Sequence, residues 1–261
     1  MKPQTEFFLV RFLLMLIFSV LTLLDTSRVQ AAGKPRGALF VGVDISGSFL
    51  KGPHFSDSLL FLANYLYLHL NGIDDFEIPK EVFVGSIGGA KKDDPKTMFP
   101  REVFENKSVD EILAKLKEIF PASKENPFTD FNAFMEQVKE VSNTHNLAMK
   151  PITILMLTDG IPDLGGKDKH EKFRAINLSP LEFLSRNVTV RLLYTNADSA
   201  KSWNTKVKRT RVKIWTQDDL VMKTWRDEKI FIPNKPIAEQ DKLFNWIKKN
   251  VDFQTRSRRV D

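Results

Sequence analysis

The sequence predicts a three-layer α/β domain with a doubly wound, mostly parallel sheet, helices on both faces and one short antiparallel edge strand. Two observations lead to this fold class. Apolar runs of strand length alternate along the chain with segments in which apolar residues recur every three or four positions, as in helices. The strand-like runs are apolar throughout and not alternately polar, which is typical of parallel strands that are buried on both faces.

Five apolar segments are predicted to form the parallel strands. In chain order they are 38–43, 82–87, 152–157, 188–194 and 212–215. The segment 152–157 is the most regular, because six apolar or β-branched residues follow one another there. The polar stretch 91–100 contains two prolines and is predicted to form a hairpin turn that leads into the antiparallel edge strand.

The first long helix is predicted over 58–70, a strongly apolar segment. Ser56 and Asp57 precede it and are predicted to cap its amino terminus, because their side-chain oxygens can accept hydrogen bonds from free backbone amides. Gly72 is predicted to end the helix, since glycine adopts the left-handed conformation found after many helices.

Later helices are also predicted from caps and periodicity. Ser108 and Glu111 form a capping box sequence, and either Thr129 or Asp130 is predicted to cap the helix after it. Three more helical segments are predicted to start at Ser179, to cover 219–225 and to close the domain over 238–251. The four tryptophans are predicted to pack the C-terminal third of the domain.

The first 31 residues are predicted to direct export. A positively charged start is followed by the apolar run 12–24 and by the small residues of 29–32, which is the pattern of a secretory signal peptide. An uncleaved membrane anchor is the alternative, because the run extends to 18 residues over 7–24, although it contains Arg11. Either interpretation predicts a periplasmic or cell-envelope location.

The rest of the chain is predicted to form one domain, 32–254, followed by a basic tail, 255–261. The protein contains no cysteine, which suits a bacterial envelope protein better than a small disulfide-bonded module. The formal net charge is +6. The basic clusters 206–213 and 256–259 contain no interleaved aromatic residues, so they are interpreted as solvated segments and no nucleic-acid partner is predicted. Membrane contact is expected only through an uncleaved N-terminal segment.

Polar side chains directly follow two of the predicted strands. Asp44, Ser46 and Ser48 come after the first strand, and Asp159 lies in Thr-Asp-Gly after the strand 152–157. In the common strand order 3-2-1-4-5-6, these two strands are neighbours where the order reverses, and ligands bind in the crevice beyond their carboxyl ends. The sequence therefore predicts that both carboxylates and both hydroxyls face one crevice.

These side chains offer oxygen atoms alone, without histidine or cysteine. Such ligand sets favour Mg²⁺, with Mn²⁺ or Ca²⁺ as alternatives, over zinc or copper. Two carboxylates and several hydroxyls leave the cation incompletely neutralised and leave a coordination position free. An acidic group of a partner protein is expected to fill that position.

At these residues the chain resembles the von Willebrand factor A (vWA) family. The triplet Asp44-x-Ser46-x-Ser48 is similar to the family's metal-ion-dependent adhesion site, and "LMLTDG", which ends in Asp159-Gly160, is similar to its second acidic element. A threonine before a helix supplies another ligand in the family, and Thr129 in "FTDFNAFM" matches it in position. The resemblance covers residues 36–253 by order of elements.

The resemblance implies a vWA, Rossmann-like fold and a role for each site residue. Ser46, Ser48 and Thr129 would contact the metal directly, and Asp44 and Asp159 would act mainly through water. Two features depart from the family pattern. Phe128 stands where the family often has glycine, and the 85 residues from Asp44 to Thr129 form a somewhat long interval, to which the polar stretch 91–100 contributes.

Other interpretations of the same residues stay open at this point. Asp44 and Thr129 could each cap a helix, and the serines could satisfy their own backbone in a turn. A hydrolase or phosphatase is a second class of function, but Asp44 lacks the second aspartate of the phosphatases, and Ser46 lacks the first glycine of a nucleophile elbow. The expected function is therefore binding and not catalysis. A metal-free scaffold subunit is a third class, and the oligomeric state is left open.

Overall fold

The computed structural model describes residues 36–88, 97–123, 128–163 and 168–253, all within the unit Pro35–Asp261. The predicted N-terminal export segment, most of the predicted hairpin turn and the basic tail lie outside these residues. The strands are β1 (Arg36–Asp44), β2 (Pro79–Ile87), β3 (Phe99–Pro100), β4 (Ile152–Leu157), β5 (Val188–Thr195) and β6 (Lys213–Asp218).

The six strands form one sheet in the order β3-β2-β1-β4-β5-β6, as predicted. All neighbouring pairs are parallel except β2 and β3, so the short antiparallel edge strand is confirmed. In the central strand, Asp44 pairs with Ile87 of β2, and Val43 pairs with Leu157 of β4. The loops after β1, β2 and β4 therefore leave the sheet at the same edge.

Nine helices of at least four residues occur within the described residues. They are α1 (Gly47–Leu50), α2 (Phe55–Asn71), α3 (Val109–Ile119), α4 (Phe131–Thr144), α5 (Lys169–Arg174), α6 (Ser179–Glu182), α7 (Ala197–Lys206), α8 (Asp219–Lys223) and α9 (Asp241–Asn250). They lie on both faces of the sheet, which confirms the three-layer α/β fold class. No helix in this part of the chain is both long enough and apolar enough to span a membrane.

The two faces of β1 contact two separate hydrophobic cores. Leu39, Val41 and Val43 pack in one core with side chains of α2, α3 and α9, whereas Ala38 and Phe40 pack in the other with side chains of α4 and α7. Alternate residues of a strand point to opposite faces, so an uninterrupted apolar strand is what a sheet covered on both faces requires.

Helix α4 approaches β1 very closely at Gly42. A Cβ atom on Gly42 would lie 2.7 Å from both Ile87 of β2 and the ring of Phe134 in α4. Such a contact is much shorter than van der Waals distance, so only glycine allows this packing. The close approach fixes the start of α4, which is the segment that follows Thr129.

Several element boundaries differ from the predictions. Helix α2 begins at Phe55 and not at 58, and Asp57 lies inside its first turn. The Asp57 carboxylate does not cap α2, because it accepts hydrogen bonds from the Tyr194 hydroxyl at 2.8 Å and the Trp225 indole at 3.0 Å. The Asp57 side chain, which the local sequence predicts to be a cap, therefore binds residues that are distant in the sequence.

Other helix predictions are confirmed or need adjustment. Ser108 and Glu111 form both hydrogen bonds of the capping box, and Asp130, not Thr129, caps α4 by accepting a hydrogen bond from Ala133 N at 3.0 Å. The closing helix α9 is shorter than predicted, and α1, α5 and α7 were not predicted. The tryptophans do pack the C-terminal third, with Trp203 and Trp225 fully buried.

An ionic cluster lies between α2 and the segment after α9. His69 contacts Asp252 (Nε2–Oδ2 3.0 Å), and the Tyr65 hydroxyl donates to Asp252 Oδ1 at 2.8 Å. Burial would lower the pKa of His69, but the charge of Asp252 and its hydrogen bonds outweigh burial and raise it above 6.5. Burial would raise the pKa of Asp252, but His69, Arg191 and Tyr65 together lower it below 3.8.

These shifts predict a pH window in which the cluster stabilises the fold. The His69 contribution is complete below pH 6.5 and is lost as the pH rises through its raised pKa. The Asp252 contribution is present above pH 3.8 and is lost as the pH falls through its lowered pKa. We expect Asp252→Asn to lower the free energy of unfolding by about 1–3 kcal/mol at pH 6, and by less at pH 9.

Urea unfolding of both proteins across this pH range measures the difference. The control is Asp74→Asn, which removes an exposed ion pair with Lys248 and is expected to cost no more than about 1 kcal/mol. A difference between wild type and Asp252→Asn that does not change with pH would contradict the assignment of the window to His69.

Candidate metal centre

Asp44 is the buried end of the central strand, and both of its carboxylate oxygens are hydrogen-bonded. Ser46 N donates to Oδ1 at 2.9 Å, and the Thr158 hydroxyl donates to Oδ2 at 2.6 Å. Burial raises the pKa of Asp44 to about 7, against the lowering effect of the hydrogen bonds from Thr158 and Ser46, and the charge of Asp159 adds to the rise. A fully buried carboxylate with this pKa is a place where a cation would lower the free energy of the charged form.

The hydroxyls of Ser46 and Ser48 continue from Asp44 towards the neighbouring strand. Their oxygen atoms lie 3.3 Å apart, and the Ser48 hydroxyl donates to Asp159 Oδ2 at 2.9 Å. The two loops beyond β1 and β4 are thus joined by side chains that are 111 residues apart in the sequence. Ser46 is buried whereas Ser48 is exposed, so the group opens to solvent at Ser48.

Asp159 is oriented by its own loop. Its Oδ1 accepts a hydrogen bond from Ile161 N at 3.0 Å, which leaves Oδ2 for Ser48. Thr158 accepts a hydrogen bond from Gly160 N at 2.9 Å while donating to Asp44. Thr158 therefore links the two acidic elements, a role that sequence analysis did not assign to it.

Backbone contacts place Thr129 between the loops that follow β2 and β4. A Cβ atom on Gly88 would lie only 2.0 Å from Phe128 O, so the end of β2 is in direct contact with this segment. On the other side, Thr129 N donates to Asp163 Oδ2 at 3.2 Å, and Asp163 N donates to Thr129 O at 3.1 Å. Since β2 and β4 flank β1, Thr129 is held over the edge at which β1 ends.

The structure thus brings Asp44, Ser46, Ser48 and Asp159 into one hydrogen-bonded group, while buried Thr129 lies between the loops after β2 and β4 at the same edge of the sheet. None of the alternative interpretations as isolated turn residues or caps requires this convergence. The Asp44 side chain does bond the backbone of its own turn, but its second oxygen binds a residue of another strand.

Trp203 contacts the Asp159 loop through a hydrogen bond to its backbone. It is fully buried in α7, its Nε1 donates to Gly160 O at 2.8 Å, and its ring meets that of Phe131 edge to face at 5.0 Å. Phe131 is the first residue of α4, two positions after Thr129. One side chain therefore contacts both segments that flank the site. Nothing in the local sequence of Trp203 indicates this role.

The donor set consists of hard oxygen atoms. Within the described residues, no group of three or more histidine, cysteine, aspartate or glutamate side chains could hold a metal ion. A cation here would be bound by hydroxyls, by carboxylates directly or through water, and by water or a ligand from outside. That set fits Mg²⁺, Mn²⁺ or Ca²⁺, which bind oxygen, and does not fit a zinc site built from histidine and cysteine.

Three of the four histidines, all of which the structure describes, lie with other partners, and the fourth, His170, is exposed in α5. His54 contacts Asp219 at 3.2 Å, His69 contacts Asp252, and His145 packs on the ring of Phe83. In this part of the chain no hydrogen bond joins a histidine to Ser46 or Ser48. The described geometry therefore offers neither serine a histidine as general base.

No protein-family model and no curated protein sequence matches the chain. Solved structures with a similar fold include proximal thread matrix protein 1 from the mussel byssus, with 13% identity and a TM-score of 0.45 over 73% of this chain and 46% of that one. The SpRpn10 VWA domain has 9% identity and a TM-score of 0.40, with 70% of this chain and 89% of that one covered.

The manganese-loaded TRAP protein of Plasmodium vivax is similar at 15% identity and a TM-score of 0.41, over 71% of this chain and 69% of that one. The chain spans less than half of the mussel protein and 30% of human Sec24c. At such low identities the likeness concerns the general fold alone.

Proposed function

We propose that this chain is an exported protein-binding domain that holds one divalent cation, Mg²⁺ in the first place, and uses it to bind a carboxylate of a partner protein. The observation that carries the proposal is the contact between Ser48 and Asp159, which joins the two predicted acidic elements. Asp44, fully buried at the end of the central strand, lies in the same group.

The proposed roles follow the resemblance to the vWA family. Ser46, Ser48 and Thr129 would bind the cation directly, and Asp44 and Asp159 would act mainly through water. The hydrogen bond between Ser48 and Asp159 is compatible with this arrangement, because hydroxyl and carboxylate oxygens at 2.9 Å can turn towards a shared ion.

The exposed end of the group is where a partner would bind. Ser48 is open to solvent, and Phe128, next to Thr129, has 48% of its surface exposed. A free coordination position beside an exposed aromatic ring suits a partner that presents an acidic side chain next to an apolar one. Phe128, the departure from the family pattern, thus becomes a candidate partner contact.

Binding is favoured over catalysis because Ser46 and Ser48 have no histidine partner among the described residues, and Ser46 replaces the second aspartate of the aspartyl phosphatases. A metal-free scaffold is the remaining alternative. It shares the crevice and the partner but not the cation, so a direct titration distinguishes it from the main proposal.

Titration with Mn²⁺, followed by calorimetry and by electron paramagnetic resonance, tests the proposal. We expect one Mn²⁺ ion to bind per chain and Mg²⁺ to compete with it. Ser46→Ala should weaken Mn²⁺ binding at least about tenfold because a metal ligand, the Ser46 hydroxyl, is lost. The control is Ser56→Ala, an exposed serine in α2, which should leave the affinity unchanged. Absence of binding by the folded wild-type protein would exclude the cation site.

Capture of partners from envelope extracts tests the second half of the proposal. Wild-type protein should retain a partner in Mg²⁺ and release it when a chelator is added, whereas Ser46→Ala should retain none. Capture that is indifferent both to chelator and to the substitution would contradict a cation-mediated contact and would support the metal-free scaffold.

A further inference from the structure

The edge of the sheet opposite the candidate metal centre carries two exposed apolar side chains. Met149 has 75% of its surface exposed and precedes β4, and Phe183 has 86% exposed and follows α6. The two segments touch, since Met149 N donates to Leu184 O at 2.7 Å. The two exposed apolar side chains are therefore carried by segments that touch each other, and exposed apolar residues on adjoining segments indicate a contact surface.

Basic residues lie at the same edge of the sheet as this apolar pair. The carboxylate of Glu182 accepts hydrogen bonds from Thr210 N and Arg211 N, both at 2.6 Å, and so fixes the basic loop 206–213 beside α6. The exposed basic residues at this edge include Lys80, Arg186, Lys208, Arg209, Arg211 and Lys213. The basic cluster interpreted from sequence as a solvated loop is therefore part of a structured surface.

Two of the lysines at this edge repel each other. A side-chain contact with Lys80, and then the positive charge of Lys80, lower the pKa of Lys150, while Glu81 acts weakly in the opposite direction. Lys80 is the second residue of β2, and Lys150 lies two residues before β4, so the two lysines lie at the amino-terminal ends of the strands on either side of β1. An anion placed between or above them would relieve this repulsion.

We infer that this edge of the domain rests on an anionic lipid bilayer, with Phe183 and Met149 inserted at the headgroup level and the basic residues against lipid phosphates. Apolar side chains among cations are the combination that binds such interfaces, since insertion and charge attraction act together. The inference goes beyond cation-dependent partner capture and does not depend on it.

The path of the chain supports a bilayer as the occupant. The polypeptide enters β1 at Arg36, at this same edge, because Ala38 N donates to Pro151 O just before β4. The apolar run 7–24 precedes it, and if this run is the uncleaved anchor, the connecting residues 25–35 hold β1 within at most about 40 Å of the bilayer. A duplex nucleic acid would also attract the basic side chains of this edge, but it has no apolar environment in which Met149 and Phe183 could be buried.

This orientation has a consequence for the candidate metal centre. All the long strands are parallel, so their carboxyl ends, with Asp44 and Asp159, lie at the edge away from the proposed bilayer contact. The domain would then present its cation towards partners in the aqueous space. A domain lying with a face of the sheet against the bilayer would not present the cation in this way.

Single-cysteine labelling tests the inference cleanly, because the chain contains no cysteine. Phe183→Cys carries the fluorophore at the proposed contact, and Leu220→Cys is the matched control, an apolar residue 67% exposed in α8, at the opposite edge. The full chain is reconstituted into vesicles of phosphatidylcholine alone or with about 30% phosphatidylglycerol, and quenching by acrylamide is measured.

We expect quenching at position 183 to fall at least about threefold in the anionic vesicles relative to the neutral ones, and quenching at position 220 to be the same in both. Adding Lys208→Gln and Arg211→Gln should restore quenching at 183 towards its value at 220. Equal quenching at the two positions on anionic vesicles would overturn the inference.

Three further outcomes would also overturn it, the first two by identifying another occupant. Protection of position 183 that grows with protein concentration in detergent, without lipid, would assign the surface to a second copy of this chain. Protection by a DNA duplex and not by anionic vesicles would assign it to nucleic acid. Protection that persists in full after both basic residues are neutralised would exclude the electrostatic contact.

Discussion

Asp44→Asn is expected to lower cation affinity about 100-fold and, at the same time, to stabilise the metal-free protein at pH 8. The two effects share one cause. Asp44 is fully buried with no cationic partner in its hydrogen-bonded group, and burial raises its pKa to about 7, so at pH 8 the fold contains a buried negative charge. A cation offsets that charge, whereas asparagine removes it.

The stability gain has a definite pH dependence. A carboxyl whose pKa is raised on folding stabilises the fold most below its unfolded pKa of 3.8, and this contribution is lost as the pH rises through about 7. Asparagine does not titrate, so Asp44→Asn should exceed wild type by roughly 1–4 kcal/mol at pH 8 in chelator, and the gain should disappear towards pH 4.

Urea unfolding with chelator and with saturating Mn²⁺ measures both effects. With Mn²⁺ the wild-type protein gains stability from ion binding and the variant gains much less. Wild type should therefore be the more stable protein in Mn²⁺, although the variant is the more stable one in chelator. The matched control is Asp159→Asn at the half-buried second carboxylate. This change should lower the affinity for the cation without the same gain in stability. Loss of stability in Asp44→Asn at pH 8 in chelator would contradict this account of the buried charge.

The sheet was predictable from sequence because the relevant information is local. A short apolar run rich in β-branched residues, such as Ile152–Leu157, is typical of a strand buried on both faces, and parallel strands joined by helices leave few possible orders. The strand order and the antiparallel edge strand are confirmed for this reason. Boundaries were less predictable: β2 begins at Pro79, before the apolar run that revealed it.

Helix α2 shows why local rules fail at element ends. Ser56 and Asp57 look like caps, and Asp57 would serve as one in an isolated helix. In the folded chain the Asp57 carboxylate binds Tyr194 and Trp225, residues more than a hundred positions away. No local pattern contains that information, because the partners come from β5 and from the segment after α8.

The candidate site also contains some residues that the sequence predicts and others that only the fold reveals. Asp44, Ser46, Ser48 and Asp159 could be grouped from sequence because they follow strands that the common topology makes neighbours. Their use of a metal stays a prediction. The residues that hold the loops in place, Thr158 and Asp163, act through contacts that only the folded chain creates.

Trp203→Ala is expected to have the largest effect on stability, about 3–5 kcal/mol, because a fully buried indole is removed from between α7 and α4. Its effect should extend to the site. The indole fixes Gly160 O by a hydrogen bond and packs on Phe131 at the start of α4, so its loss frees the Asp159 loop and the segment that carries Thr129.

Trp203→Phe separates the two consequences. Phenylalanine keeps most of the packing but cannot donate to Gly160 O, so we expect a smaller loss of stability, about 1–2 kcal/mol. Mn²⁺ affinity should still fall about tenfold, because the Asp159 loop is less well fixed.

Thermal unfolding and Mn²⁺ titration below the transition measure both properties. Trp215→Ala is the control, since Trp215 is half-buried on β6, two strands from β4, and packs on Phe253 at 4.9 Å. Unchanged Mn²⁺ affinity in folded Trp203→Phe would mean that the Asp159 loop holds its position without the indole. Equal losses of affinity in Trp203→Phe and Trp215→Ala would mean that the effect is general softening of the domain and not support of this loop.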